Sequence, residues 1–193
     1  MNRDTYDKML KLRLPGMAAL YKEQDNQEGI KELTFDERIG LLIDAEEDSQ
    51  SSHKIERLIH VANLTDSKAS VTQILYYEDR HLNAEQIKVL ATNEYIKKHE
   101  NILIVGATGS GKSYIACALG VAACNAKLRV RYVRLPDLLA DLEMSRLQGN
   151  YRTKIRSYEK CDLLIIDEWL LVSTKNIEQQ DILEILEKRY RIH

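Results

Sequence analysis

The chain has 193 residues, of which 44% are hydrophobic and 30% charged, and its net charge is −2. This composition is typical of a soluble globular protein with one domain, or one domain and a helical extension. No apolar run is long enough to span a membrane, and the first residues lack the apolar stretch of a secretory signal. We therefore expect a cytoplasmic protein without a membrane partner.

Residues 1–75 are predicted to form an N-terminal helical domain. Pro15 and Gly16 interrupt the first helical segment, and a second helix follows them. Thr34 and Glu37 have the spacing of a capping box, in which Thr34 accepts from the amide of Glu37 and the Glu37 side chain reaches back. The helix that begins there has apolar residues at helical spacing: Ile39, Leu42 and Ile43.

Residues 76–193 are predicted to form an α/β domain. Strands are expected at residues 101–105, 129–135 and 163–167, and helices at 83–98, 114–124, 137–146 and 177–191. The alternation of strands and helices predicts a doubly wound parallel sheet flanked by helices. Three cysteines lie in this region without metal-ligand spacing, and we expect them to pack in the core: Cys117, Cys124 and Cys161.

The segment Gly106–Ser113 reads GATGSGKS and matches the P-loop pattern G-x-x-x-x-G-K-[ST]. An apolar predicted strand precedes it and an apolar predicted helix follows it. Such a loop points backbone amides and a helix N-terminus at phosphate oxygens, so the motif predicts ATP binding. Lys112 is expected to bridge the β- and γ-phosphates, and Ser113 to bind Mg²⁺. The predicted nucleotide-binding residues are Gly106, Ala107, Thr108, Gly109, Ser110, Gly111, Lys112, Ser113 and Tyr114.

Two carboxylates, Asp167 and Glu168, end the apolar run 163–166. Ligands of open α/β sheets bind at the carboxyl ends of the strands. We expect Asp167 to hold Mg²⁺ and Glu168 to polarise the attacking water as a general base.

A locally basic stretch lies between the two motifs. Residues 127–160 contain 9 basic and 4 acidic side chains, counted from the sequence. Arg152, Lys154 and Arg156 alternate, so on an extended or loosely helical segment they would reach successive DNA phosphates. A solvated face without a ligand remains the alternative for these three residues. Tyr151 is expected to pack within the protein rather than stack on a base.

The chain resembles the IstB-like transposition helper ATPases, which are related to DnaC and DnaA within the AAA+ superfamily of P-loop NTPases of the ASCE type. The resemblance covers nearly the whole chain. It rests on these blocks: Leu12–Met17, Leu33–Arg38, Leu41–Glu46, Ile115–Gly120, Ala122–Cys124, Val130–Val133 and Leu163–Glu168. It implies a homo-oligomer that assembles with ATP on double-stranded DNA and presents this DNA to an IstA-like transposase. The alternatives are a DnaC-like helicase loader and a non-hydrolysing interaction module.

Two departures from the family pattern change the expectations. Trp169-Leu170 stands where the family has Leu-Gly, so we expect a changed loop after Glu168. The chain also stops at His193, before the strand and the arginines that complete such ATPases. We therefore expect a C-terminally truncated member with two unpaired strand edges and weak ATP hydrolysis. Arg189 and Arg191 are interpreted as cations at the negative end of their helix rather than as substitute finger residues.

Overall fold

The computed structural model describes residues 2–24, 29–169, 171 and 173–192. The chain divides into two compact units, residues 1–56 and 57–193. The sequence-based prediction places the boundary after residue 75 instead. The second unit begins earlier because Ala62 and Ala69 are buried in its hydrophobic clusters, with Leu64 packed against them.

The first unit is built from helices. They are α1 (Arg3–Lys11), α2 (Pro15–Glu23), a 3₁₀ turn at Ile30–Glu32, and the N-terminal part of α3 (Phe35–Ala62). The predicted capping box opens α3: the amide of Glu37 donates to Thr34 Oγ1 (3.3 Å), and the amide of Thr34 donates to Glu37 Oε2 (2.7 Å). The hydrogen bonds from Thr34 lower the pKa of Glu37. This predicted helix start is confirmed.

Helices α2 and α3 meet at a close contact around Gly16. A Cβ atom on Gly16 would lie 2.3 Å from the carbonyl oxygen of Ala45, so no larger residue fits there without a shift of the backbone. The side chain of Leu14, the residue before α2, does not cap the helix. The buried carboxylate of Glu46 caps it instead, because the amide of Met17 donates to Glu46 Oε2 at 3.0 Å. The sequence blocks Leu12–Met17 and Leu41–Glu46 are therefore the two sides of one helix contact.

The second unit contains the end of α3, six further helices and two strands within the described residues. None of the described helices is both long enough and apolar enough to span a membrane. The elements are 3₁₀ turns at Val71–Gln73 and Glu78–Arg80, α4 (Ala84–Ala91), α5 (Glu94–Lys97), α6 (Lys112–Asn125), β1 (Val130–Arg134), α7 (Leu135–Leu147), α8 (Tyr151–Glu159), β2 (Leu163–Asp167) and α9 (Asn176–Ile192).

Strands β1 and β2 form a parallel pair, with Val130 opposite Leu163 and Arg134 opposite Asp167. Successive residues of β1 face opposite sides of the sheet. Tyr132 packs into a cluster with residues of α6, whereas Val133 packs into one formed by α7, α8 and α9. Helices thus cover both faces, and the predicted α/β fold with a parallel sheet flanked by helices is confirmed. The three cysteines are buried and free, as predicted.

The predicted helix over residues 83–98 is split into α4 and α5. Its start is confirmed, because Asn83 Oδ1 accepts from the amides of Glu85 and Gln86. The break lies at Asn93, which has a φ of 64° and is buried. The side chain of Asn93 donates from Nδ2 to the carbonyl oxygen of Ala122 on α6, at 3.3 Å. A polar contact with a neighbouring helix, which the local sequence does not encode, accounts for the break.

Residues 101–105, predicted as a strand, are not paired into the sheet of the described chain. Ile102 and Ile104 pack against the cluster that contains α6. Leu103 and Val105 are 79% and 81% exposed. A strand is defined by its hydrogen-bonded neighbour, and none of the described residues lies beside this segment as a strand.

Arg189 does not serve the negative end of its own helix. Its Nη1 donates to the carbonyl oxygens of Tyr158 (3.0 Å) and Cys161 (2.8 Å), at the C-terminal end of α8. The carbonyl of Tyr158 also accepts from Cys161 Sγ at 3.2 Å, and the guanidinium adds a charged donor from α9. The structure therefore assigns Arg189 to a packing role between helices. The side chain of Arg191 lies outside the described residues.

Candidate nucleotide-binding site

The P-loop, residues 106–113, leads directly into the first turn of α6. Gly109 and Gly111 have φ angles of 77° and 86°, a region in which residues with a Cβ atom are strained. At Gly111 a Cβ atom would also lie 2.8 Å from Nη2 of Arg80. The loop conformation thus requires glycine at both positions, in agreement with the sequence motif.

The side chain of Lys112 folds back over the loop. Its Nζ donates to the carbonyl oxygens of Gly106 (2.9 Å) and Ala107 (2.7 Å). The ammonium group therefore lies against the backbone of the loop that is expected to bind phosphate. A phosphate oxygen is a stronger acceptor for a cation than a neutral carbonyl, so a bound nucleotide would compete for these two contacts.

Asp167 lies at the carboxyl end of β2 and reaches the P-loop helix. Burial by itself would raise its pKa, but the nearby Ser113 hydroxyl, a hydrogen bond from Tyr132 and one from the amide of Glu168 outweigh it, and the charge of Lys112 adds to them. The net effect is a lowered pKa, so the carboxylate is held in its ionised form. Lys112, Ser113 and Asp167 are thus brought together.

Glu168 is placed differently from Asp167. Its backbone is in the left-handed region, with a φ of 54°, and its carboxylate lies 3.6 Å from Nη1 of Arg134 at the end of β1. Arg134 also binds Asp137, with its Nε 2.7 Å from Asp137 Oδ2. The expected general base is therefore ion-paired with an arginine that sequence reasoning did not single out.

The donor atoms of Ser113 and Asp167 fit a magnesium ion. Mg²⁺ prefers hard oxygen ligands and keeps several water or phosphate ligands beside one or two from the protein. Among the described residues, no cluster of three or more His, Cys, Asp or Glu side chains forms a metal site by itself. A cation at this place would thus need nucleotide phosphates or water to complete its coordination.

One side chain from outside the motif, that of Arg80, contacts the P-loop. Arg80 donates from Nη2 to the carbonyl oxygen of Ser110 and from Nη1 to that of Leu75, both at 2.8 Å. No sequence signal identified Arg80.

Tyr114, predicted as a nucleotide contact, directs its hydroxyl to Ser70 and Gln73. The hydroxyl of Tyr114 is thus used in contacts within the protein.

The basic residues predicted to contact DNA lie on α8, a regular helix rather than an extended segment. Residues four apart on a helix share a face, so Arg152 and Arg156 lie together and Lys154 points elsewhere. Lys154 forms an ion pair with Asp141 (2.6 Å). Arg152 and Arg156 are exposed and have no ion-pair partner within the described chain. The alternation therefore does not place three cations on one surface.

A groove of about 750 Å³ runs along this part of the molecule, beside α8 and α9. Its lining is Tyr151, Arg152, Thr153, Arg156, Glu159, Glu184 and Lys188. The hydroxyl oxygen of Tyr151 lies 2.7 Å from Asp181 Oδ1 and 2.8 Å from Glu184 Oε2, and the two carboxylates share its single proton. The ring of Tyr151 lies 4.3 Å from the guanidinium of Arg146. Tyr151 is thus engaged within the protein, as predicted.

Comparison with known proteins places the chain in a family. Residues 7–193 match the family of IstB-like ATP binding proteins. The chain belongs to this family. It is 34% identical over 189 residues to a protein of Pseudomonas fluorescens named as an ATP-binding protein of the insertion sequence IS1162, covering 98% of this chain and 82% of the relative. It is also 34% identical over 186 residues to the insertion-sequence ATP-binding protein y4pL of Sinorhizobium fredii, covering 96% and 76%.

The family match confirms the resemblance that the sequence blocks indicated. In this IstB-like chain, Lys112, Ser113 and Asp167 meet at one site, and Glu168 lies next to them with its carboxylate paired to Arg134. Leu170, one of the two residues that depart from the family pattern, lies outside the described residues. Trp169, the other, is partly exposed.

Proposed function

We propose that this IstB-like chain is an ATP-controlled assembly factor of transposition in the cytoplasm. With ATP and Mg²⁺ bound, it would associate with further copies of itself on double-stranded DNA and present that DNA to an IstA-like transposase. The observation that carries the proposal is that Asp167, at the end of β2, lies near Ser113 and Lys112 of the P-loop helix, which both lower the pKa of its carboxyl group. The relatives are named as insertion-sequence proteins, which favours transposition over helicase loading.

Each residue of the site has a proposed task. The backbone amides from Gly106 to Ser113 would hold the phosphates, and Lys112 would leave its two loop carbonyls for β- and γ-phosphate oxygens. The hydroxyl of Ser113 and the carboxylate of Asp167 would hold Mg²⁺, which when bound neutralises phosphate charge. ATP and Mg²⁺ would stabilise the conformation of the protein that binds them more tightly.

A second candidate function is binding without turnover. General-base action requires the Glu168 carboxylate to accept a proton from water. The guanidinium of Arg134 lies 3.6 Å from Glu168 Oε1, so an attacking water would have to reach the carboxylate beside this cation. An assembly module that senses ATP and hydrolyses it slowly or not at all is therefore favoured by the geometry at Glu168. Turnover measured with and without duplex DNA separates the two candidates.

The proposed DNA contact is the exposed pair Arg152 and Arg156 on α8. Two arginines on one helix face can bind phosphates of the DNA backbone without reading the base sequence. Such contacts release counterions, so affinity falls as salt rises. Lys154 takes no part in this proposal, because its ammonium is bound to Asp141.

The nucleotide part of the proposal is tested with a fluorescent ATP analogue. The wild-type chain should bind it tightly with Mg²⁺ present. Lys112→Ala should lose most of this binding, and Asp167→Asn should lose the part that depends on Mg²⁺. A wild-type chain that retains no ATP in the presence of Mg²⁺ contradicts the proposal.

The DNA part is tested by titrating duplex DNA at several salt concentrations. The double variant Arg152→Ala/Arg156→Ala should bind more weakly, and the slope of log affinity against log salt should decrease by about 2. Lys154→Ala is the matched control on the same helix and should bind as the wild type does. Equal losses in both variants would mean that α8 contributes only general positive charge.

A further inference from the structure

Tyr132 places a hydroxyl group against Asp167 from the neighbouring strand. It lies in the middle of β1, is 3% exposed, and faces α6 in a cluster that includes Ile115 and Leu119. Its hydroxyl donates to Oδ2 of Asp167 at 2.6 Å. The ring alone would fill this space in the same way as phenylalanine, so the hydroxyl is the part of the residue that packing does not explain.

The hydrogen bond between Tyr132 and Asp167 has one possible direction. The single hydroxyl proton of Tyr132 goes to the carboxylate, which only accepts. Thr65 lies behind Tyr132 and acts on its hydroxyl. Thr65 Oγ1 lies 3.2 Å from Cys117 Sγ, a contact in which either atom can be the donor.

The carboxylate of Asp167 is held at both oxygens. Oδ2 accepts from Tyr132, and Oδ1 accepts from the amide of Glu168 at 2.7 Å. These two contacts limit rotation of the carboxylate while Ser113 lies beside it. Partners behind a metal-binding side chain fix its orientation and thereby its affinity for the metal.

We propose that Tyr132 is a positioning residue that holds the Asp167 carboxylate in the orientation needed for Mg²⁺ at the nucleotide site. The inference rests on the proposed function, since it assumes that Ser113 and Asp167 bind the metal of a nucleotide complex. Tyr132 itself touches neither metal nor nucleotide. Its effect is on how well Mg²⁺ strengthens nucleotide binding, and not on the contact of the P-loop with phosphate.

The test compares binding of the fluorescent ATP analogue by wild type and Tyr132→Phe, with Mg²⁺ titrated and with Mg²⁺ removed by a chelator. The Mg²⁺ concentration for half-maximal effect should rise about tenfold in Tyr132→Phe. Affinity without Mg²⁺ should stay at the wild-type value. Tyr158→Phe is the matched control: Tyr158 is also buried and its hydroxyl reaches a carboxylate, Asp141, at 3.3 Å in the other cluster of the unit.

A second variant and a double variant keep the test decisive. Thr65→Val removes the hydroxyl group behind Tyr132 and should shift the Mg²⁺ dependence in the same direction by a smaller factor. This variant also serves if Tyr132→Phe does not fold. In an Asp167→Asn background, Tyr132→Phe should add no further change. A wild-type Mg²⁺ titration in folded Tyr132→Phe or Thr65→Val overturns the inference. A wild-type chain that binds no nucleotide at all instead refutes the proposed function.

Discussion

Arg146 of α7 donates through both terminal nitrogens to the two carboxylate oxygens of Asp181 on α9. The side chain of Asp181 is 3% exposed, and Tyr151 of α8 donates to the same carboxylate. One buried charge thus joins three helices on the face of the sheet away from α6. A charge in this position is stable only while its partners remain.

Asp181→Ala should therefore destabilise the second unit by about 2–3 kcal/mol, because Arg146 and Tyr151 lose a charged acceptor together. Urea unfolding followed by circular dichroism measures this. Asp137→Ala, which breaks the exposed pair with Arg134, is the control and should change the unfolding free energy much less. Equal effects of the two substitutions would show that the burial of Asp181 does not increase its contribution to the free energy of unfolding.

Gly16→Ala tests the contact between α2 and α3. The new methyl group would meet the carbonyl of Ala45 at 2.3 Å, so the helices must separate, at a cost of about 1–3 kcal/mol. Gly40→Ala is the matched control within α3, where nothing lies within 4 Å of the new Cβ atom, and it should stabilise the helix by about 0.5–1 kcal/mol. Thermal unfolding of both variants should shift in opposite directions. A stabilised Gly16→Ala would contradict the close contact.

Arg80→Ala tests whether the segment before α4 supports the P-loop. Arg80 binds the carbonyls of Leu75 and Ser110, so its loss frees both the loop and the segment. We expect nucleotide affinity to fall about 3- to 10-fold, which corresponds to the net contribution of about one ordinary hydrogen bond. Arg80→Lys keeps the charge but loses the fork of two donors, and should fall in between. Wild-type affinity in Arg80→Ala would limit Arg80 to packing.

The parts of the site that could be predicted from the sequence are those set by local backbone geometry. The glycines of the P-loop, the capping box at Thr34, and the end of β2 at Asp167 each depend on residues close in the chain. Packing of α6 against β2 then brings Ser113 to Asp167, at the carboxyl end of the strand. For these features the local pattern was sufficient.

The remaining features depend on neighbours that are distant in the sequence. The break of the predicted helix at Asn93 follows from a carbonyl on α6, and the pairing of Lys154 follows from Asp141 on α7. The alternation of basic residues would place them on a shared surface if the segment were extended or loosely helical. The segment is instead the regular helix α8. Tyr132 was interpreted as part of a strand, and nothing in its flanks shows that its hydroxyl meets Asp167.

Tyr95 of α5 makes the free energy of unfolding depend on pH in the alkaline range. Burial raises the pKa of Tyr95 to about 12, whereas a tyrosine in an unfolded chain has a pKa of about 10. Between these values the unfolded chain releases a proton that the folded chain keeps, so stability falls as pH rises. The contribution is complete below the unfolded pKa and is lost as pH passes the folded one. Urea unfolding across this range should show a shallower decline for Tyr95→Phe than for the wild type. Tyr190→Phe, at an exposed position of α9, should keep the wild-type slope, and an unchanged slope in Tyr95→Phe would refute the assignment.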